Sequence, residues 1–270
     1  MNKPRILLFD SGMGGLTVAR AVRAAEPEAI LLYAADNAAF PYGAWDEDAL
    51  VKRIVAVVGR LIDRTKPDLV VIACNTASTL ALAALRERYT VPFVGTVPAI
   101  KPAAAQTKSG MIGVLATPGT VNREYTRTLI HTYAYHCKVF LHGARRLAEI
   151  AEAKLRGNQI NLDELRNEIM PVFRKRDGKT TDVIVLGCTH YPLLLDDIRA
   201  IEPWPVTYID PAPAIARRVS DLLRSNGTAG SEHGDSGTLF LTSQRGKATE
   251  TLLAYAAMGF ANNEVIDLPV

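Results

Sequence analysis

VVIACNTAST, residues 70–79, is a run of branched apolar residues that stops at Cys74 and gives way at once to Asn75 and Thr76. The pattern returns as VIVLGCTHYP, residues 183–192, where the run stops at Cys188 and is followed by Thr189 and His190. Neither run alternates apolar with polar residues. A strand covered on both faces reads that way, so both stretches predict buried strands of parallel sheets. In open α/β sheets, ligands gather beyond the carboxyl ends of the strands, which is where each cysteine falls.

Similar runs lie to either side. RILLFD (5–10), AILLYAAD (29–36) and VPFVG (91–95) accompany the first cysteine; GMIGVLAT (110–117), KVFLHG (138–143) and VTYID (206–210) accompany the second. Helical patterns fill the gaps. DEDALVKRIVAVVGRLIDRT (46–65) opens with acidic residues that suit the positive end of a helix dipole. ARRLAEIAEAKLRG (144–157) places Leu147, Ile150 and Leu155 near helical spacing and stops at Gly157. After Asp210 come the helical PAPAIARRVSDLLRSN, a Gly/Ser-rich loop GTAGSEHGDSG (227–237), a strand TLFLTS, a helix around 246–259 and a last strand EVIDL. This alternation predicts an α/β protein with right-handed crossovers. The paired cysteine phrases predict two similar α/β lobes with mainly parallel sheets and an active site in the cleft between them. Boundaries near Val97–Pro98 and Asp210–Pro211 give a first domain of residues 1–97 plus 211–270 and a second of 98–210.

Composition narrows the function. Of 270 residues, 48% are hydrophobic and 22% charged, which is ample for a sizeable core. The formal charge of +3 is scattered without a strongly basic run, which argues against a nucleic-acid surface and suits a small acidic substrate. No apolar stretch approaches the roughly 20 residues that span a membrane. MNKPRILLFD meets an acidic residue too early for a secretory leader. Three cysteines, Cys74, Cys137 and Cys188, make a poor disulfide framework; the expected setting is cytoplasmic, with reduced thiols.

Four strand ends carry polar residues: Asp10 and Ser11 in FDSGMGG, Pro41, Tyr42 and Gly43 after Asp36, Asn75 and Thr76 after Cys74, and Thr189 and His190 after Cys188. Gly12, Gly14 and Gly15 half-match a dinucleotide loop, but G-x-G-x-x-G needs glycine where Thr17 stands. The favoured reading is a tight turn that brings backbone N–H groups and Ser11 to a small anion. Cys137, in YHCKVF, reads as a small buried hydrophobe. Cys74 and Cys188 both precede expected helix N-termini, which lower thiol pKa. The five histidines and three cysteines show no zinc spacing, so no metal is expected. Three chemistries use such thiols. A single nucleophile would pair Cys188 with His190 and leave Cys74 idle. A redox pair would want Cys-X-X-Cys, which is absent. A two-base racemisation uses both, one thiolate removing a proton from carbon while the opposite thiol supplies one to the other face.

FDSGMGGLTV, PYG, ACNTAS and GCTHYP, in that order, resemble glutamate racemases of the aspartate/glutamate racemase superfamily. LAEIAEAKL is similar to the family's equivalent helix and matches its acidic residue at Glu152. AADNAAFPYG departs from the Gly-Asp-Thr start and the basic residue before Pro-Tyr-Gly that many members carry, which bears on Asn37 and leaves Tyr42 untouched. The resemblance implies interconversion of L- and D-glutamate without pyridoxal phosphate or metal, supplying D-glutamate for peptidoglycan synthesis. It implies that Cys74 deprotonates D-glutamate and Cys188 L-glutamate. Backbone N–H groups after each cysteine, with Ser11, Asn75, Thr76 and Thr189, become candidate donors to the substrate carboxylates. Asp10 becomes the candidate partner of the ammonium and of Cys74; His190 and Glu152 become the groups that tune Cys188. Three plainer readings stand beside these: Asp10 caps its turn, Glu152 is an exposed helix acid, and His190 caps its helix. Members often dimerise, so a homodimer is an expectation; the long N-terminal extension of some regulated members is not. The alternatives are a racemase of another acidic amino acid such as aspartate, a single-cysteine isomerase or decarboxylase of the same fold, and an inactive binding module.

Overall fold

The computed structural model describes residues 3–226 and 237–266. In chain order its strands are β1 (Arg5–Asp10), β2 (Ile30–Ala35), β3 (Leu69–Ile72), β4 (Phe93–Val94), β5 (Met111–Ala116), β6 (Lys138–Gly143), β7 (Lys175–Arg176), β8 (Lys179–Thr180), β9 (Val183–Gly187), β10 (Thr207–Ile209), β11 (Thr238–Leu241) and β12 (Asn262–Val265). One sheet runs β12-β11-β2-β1-β3-β4 and a second β10-β9-β5-β6. Every pairing in these two sheets is parallel. The chain leaves the first sheet after Val94 and returns to it at Thr238.

Read from their centres, the two sheets share one order. β1 lies between β2 and β3 with β4 beyond; β5 lies between β6 and β9 with β10 beyond. β3 and β9, the strands that lead into Cys74 and Cys188, therefore hold equivalent places. The likeness of the two cysteine phrases has a topological basis.

Helices on both faces explain the uninterrupted apolar runs. In β1, Ile6 and Leu8 pack with Leu16, Val22 and Val219 on one face of the sheet. Leu7 and Phe9 turn to the other face and pack with Ile54, Leu61 and Ala81. Successive side chains point to opposite faces, so each residue of the run finds a core. The second sheet repeats this: Ile184 and Leu186 pack with Leu147 and Leu165, while Val183 and Val185 pack with Ile100 and Ala103.

Helix Glu47–Thr65 is capped by Asp46, whose side chain accepts from the Ala49 N–H, and carries Glu47 and Asp48 in its first turn. The expected helix at 144–157 spans Leu147–Leu155, and that at 246–259 spans Thr249–Ala257 behind a short 3₁₀ turn. No α-helix starts directly after Cys188. A bend and the 3₁₀ turn Tyr191–Leu194 come first, because Pro192 fits the opening of a tight turn and the α-helix waits until Leu195. The hairpin β7–β8 was not expected from apolar runs. Its signal is Asp177-Gly178, both at positive φ, as a two-residue hairpin turn requires. Of the Gly/Ser-rich loop expected at 227–237, all but Gly237 lies outside the described residues. Among those residues, no helix is long and apolar enough to cross a membrane.

Candidate active site

The carboxyl ends of both sheets open on one cavity of about 410 Å³. Ser11 comes from the end of β1, Pro41, Tyr42 and Gly43 from the loop after β2, and Cys74, Asn75 and Thr76 from the end of β3. The second sheet sends Thr117 and Pro118 after β5, Ala144 and Arg145 after β6, and Gly187 through His190 at β9. Cys74 and Cys188 both line it, each almost buried. Asp10 and Glu152 stand behind the wall instead, Asp10 wholly buried and Glu152 7% exposed. Neither touches the cavity directly, so each acts on it through a neighbour.

On the β9 side the neighbours form a chain. Cys188 Sγ lies 3.7 Å from His190 Nδ1. His190 Nε2 lies 3.1 Å from Glu152 Oε1. Glu152 Oε1 also accepts from the Met13 N–H at 2.8 Å, and Oε2 accepts from Arg156 at 3.1 Å. Burial works against charge on both His190 and Glu152. For His190 it is outweighed by Cys188 and Glu152, which hold the ring well above the usual imidazole pKa. For Glu152 it is outweighed by His190, the Met13 N–H and Arg156, and the carboxyl falls below its usual range. Glu152 is thus not an exposed helix acid, and the His190 side chain makes no helix-capping bond.

The β3 side differs. Cys74 occupies the N-cap of helix Asn75–Arg88, yet the expected lowering of its pKa is not found. Burial, with Asp10 close by, pushes the Cys74 thiol up to about 12. Its thiol faces Ser11 Oγ at 3.8 Å. Asp10 accepts from the Gly12 N–H at 2.9 Å, which bears out turn capping, and from Thr189 Oγ1 at 2.9 Å across the two lobes. Burial raises the Asp10 pKa against the pull of His190 and these two donors.

The glycine loop does not present its N–H groups to a free anion. Its N–H groups face the protein: Gly12 and Met13 donate to Asp10 and Glu152, and Gly14 points at His190 Nε2. The anion expected at this turn is Glu152 itself. A Cβ on Gly12 would strike the Glu152 carboxylate, and one on Gly14 would strike the His190 ring and Thr189. The glycines are there for close approach between lobes. Asp36, just past the end of β2, is also spoken for. Its carboxylate accepts from Tyr42 Oη at 2.8 Å, from Arg53 at 2.8 and 2.6 Å, and from Thr242 Oγ1 at 2.7 Å. This fixes the Pro41–Gly43 wall.

Asn75 is the unsatisfied member. It lines the cavity, is 2% exposed, and neither its amide nitrogen nor its amide oxygen has a partner. A buried amide left so costs about 1–3 kcal/mol, which a ligand with a carboxylate for its NH2 and an N–H donor for its oxygen would recover. Thr76 Oγ1 sits 3.1 Å from Thr117 Oγ1, joining the lobes beside it. Sequence reasoning missed Thr117, Arg145 and Phe40 in the wall, and Arg53 and Arg156 behind it. Thr117 ends an expected strand and could have been found by the rule that found the cysteines. Among the described residues, no group of three or more His, Cys, Asp or Glu side chains is arranged to hold a metal ion.

A family model described as Asp/Glu/hydantoin racemase matches residues 16–219. A glutamate racemase of Brucella anthropi is 56% identical over 220 residues, 81% of this chain and 79% of that protein. One from Brucella canis is 52% identical over 241 residues, 89% and 87% of the two chains. The crystal structure of Escherichia coli glutamate racemase with L-glutamate and the activator UDP-MurNAc-Ala superposes with a TM-score of 0.91, at 40% identity over 98% of each chain.

Proposed function

The chain belongs to the Asp/Glu/hydantoin racemase family, and from that premise we propose that it interconverts L- and D-glutamate by proton transfer between two cysteines, without cofactor. The observation that carries this is that Cys74 and Cys188 follow equivalent strands of two like sheets and line one cavity. In one direction the Cys188 thiolate takes the α-proton of L-glutamate, and the Cys74 thiol gives a proton to the opposite face. In the other direction the roles reverse. An α-proton is far less acidic than a thiol of ordinary pKa about 8.5, so the carbanion must be held by fixed dipoles. Each preorganised donor is worth about 2.7–4 kcal/mol in such roles. Asn75, the first N–H groups of helix Asn75–Arg88 and Ser11 are the donors at hand, the Thr189 hydroxyl being already given to Asp10. The D-glutamate made would serve peptidoglycan synthesis in the cytoplasm.

Turnover of L-glutamate in deuterated water tests this. Early D-glutamate should carry deuterium at the α-carbon, delivered from the opposite thiol, while recovered L-glutamate stays largely protiated. Mostly protiated early product would point to one base swinging between faces. Absence of any exchange would end the racemase reading.

A further inference from the structure

We propose that Arg156 is a positioning residue for the Cys188 half of the reaction: through Glu152 it fixes the tautomer in which His190 can take the Cys188 proton. This rests on the racemase reading above. His190 Nε2 faces two groups with opposite demands, the Gly14 N–H and Glu152 Oε1, each at 3.1 Å. The N–H wants a bare nitrogen; a carboxylate wants that nitrogen to carry the proton. Only the second arrangement leaves Nδ1, 3.7 Å from Cys188 Sγ, free to accept the thiol proton. Were Glu152 neutral, its own O–H would join the Gly14 N–H at Nε2. The ring proton would then sit on Nδ1, facing the thiol, and His190 could not act as its base. The charge on Glu152 decides the tautomer, as a buried carboxylate does for histidine in other acid–base relays.

Burial alone would neutralise Glu152. The titratable groups acting with it come from every side: His190 at the end of β9, Asp10 at the end of β1, Tyr33 from β2, Tyr255 from helix Thr249–Ala257, and Arg156 from its own helix. Asp10 and the tyrosines bring no positive charge. While the imidazole is neutral, Arg156 is the one ion-pair partner of Glu152 among the described residues, one helical turn on and bound to the oxygen that His190 leaves free. Arg156 lies outside the thiol cavity. It lines a separate space of about 160 Å³ on the far side of Glu152, with Arg245. It acts on the reaction without touching substrate.

The test compares Arg156→Gln, Arg156→Lys and Arg245→Gln with the parent protein. Arg156→Gln should lower kcat about ten-fold with KM little changed, and Arg156→Lys should restore most of it, since losing a charged hydrogen bond costs about one decade. Arg245→Gln should behave as the parent. Enantiomers are equal in energy, so kcat/KM must fall alike in both directions; isotope effects need not. In Arg156→Gln the deuterium effect should rise for α-deuterated L-glutamate, whose proton meets Cys188, and fall for α-deuterated D-glutamate. The proposal is overturned if the two effects move together or stay put, if the lysine variant is no better than the glutamine one, or if Arg245→Gln loses as much. A parent protein that does not racemise glutamate would instead sink the reading beneath it.

Discussion

Cys188 Sγ has the His190 Nδ1 atom 3.7 Å away, whereas the polar neighbour of Cys74 Sγ is the Ser11 hydroxyl at 3.8 Å. Two cysteines at equivalent strand ends therefore meet unlike surroundings. One faces a ring held by a buried carboxylate; the other faces a hydroxyl and the neighbouring Asp10, which disfavours its thiolate.

The reaction should need both thiols. Cys74→Ser and Cys188→Ser should each abolish efficient racemisation in both directions, because each residue is acid one way and base the other and a hydroxyl is a far weaker acid. Cys137→Ser should leave the rate near the parent value, since Cys137, half-buried rather than buried as expected, packs outside the cavity on the second lobe. A near-normal rate in either of the first two variants would break the two-base scheme.

The raised Cys74 pKa gives a pH signature. With Cys137 and Cys188 both replaced by serine, alkylation of Cys74 by iodoacetamide should be slow at neutral pH, because the thiol form dominates below about 12. Only the thiolate reacts, so the rate should climb about ten-fold per pH unit with no plateau near the ordinary thiol pKa of about 8.5. A plateau by about pH 9 would mean that the surroundings of Cys74 do not disfavour the thiolate.

Gly14→Ala should injure catalysis more than folding. The added methyl meets the His190 ring and the Thr189 hydroxyl, side chains of the opposite lobe. Displacing His190 by about 1 Å should cost about 100-fold in kcat. Circular dichroism should show the fold retained. A variant with parental kcat would show that the lobes absorb the methyl by parting slightly.

Asp36→Asn tests stability. Arg53, Tyr42 and Thr242 all donate to this fully buried carboxylate. Removing its charge while Arg53 stays should cost about 3 kcal/mol in urea unfolding. A loss under about 1 kcal/mol would place the pair among the weak, solvent-screened ones.

The parallel sheets and the strand ends at Cys74 and Cys188 were legible because burial on both faces writes itself as an unbroken apolar run. β1 was read to the residue, since Asp10 is polar where the run stops. Partnerships across the lobes were not legible. Nothing local in GMGG says that its N–H groups will meet Glu152 and His190, residues far along the chain. Arg156 escaped because an arginine four residues after a glutamate is common on exposed helices; here burial of Glu152 alone changes its meaning. The expected thiol activation at the Cys74 N-cap failed for the same reason, as desolvation outweighs a helix dipole.

The first sheet is assembled from both sides of the second. β1 to β4 are made early, but β11, which covers the outer edge of β2 from Leu32 to Ala35, comes only after every strand of the second sheet. Synthesis runs in one direction, so on the ribosome the lobe begun first is the lobe completed last. The second sheet, whose strands come from one uninterrupted segment, can close while β2 still shows a bare row of backbone donors and acceptors. Such an edge is a template for pairing with other chains. A nascent chain halted before Thr238 would leave that edge of β2 uncovered, although most of its sequence is already in place.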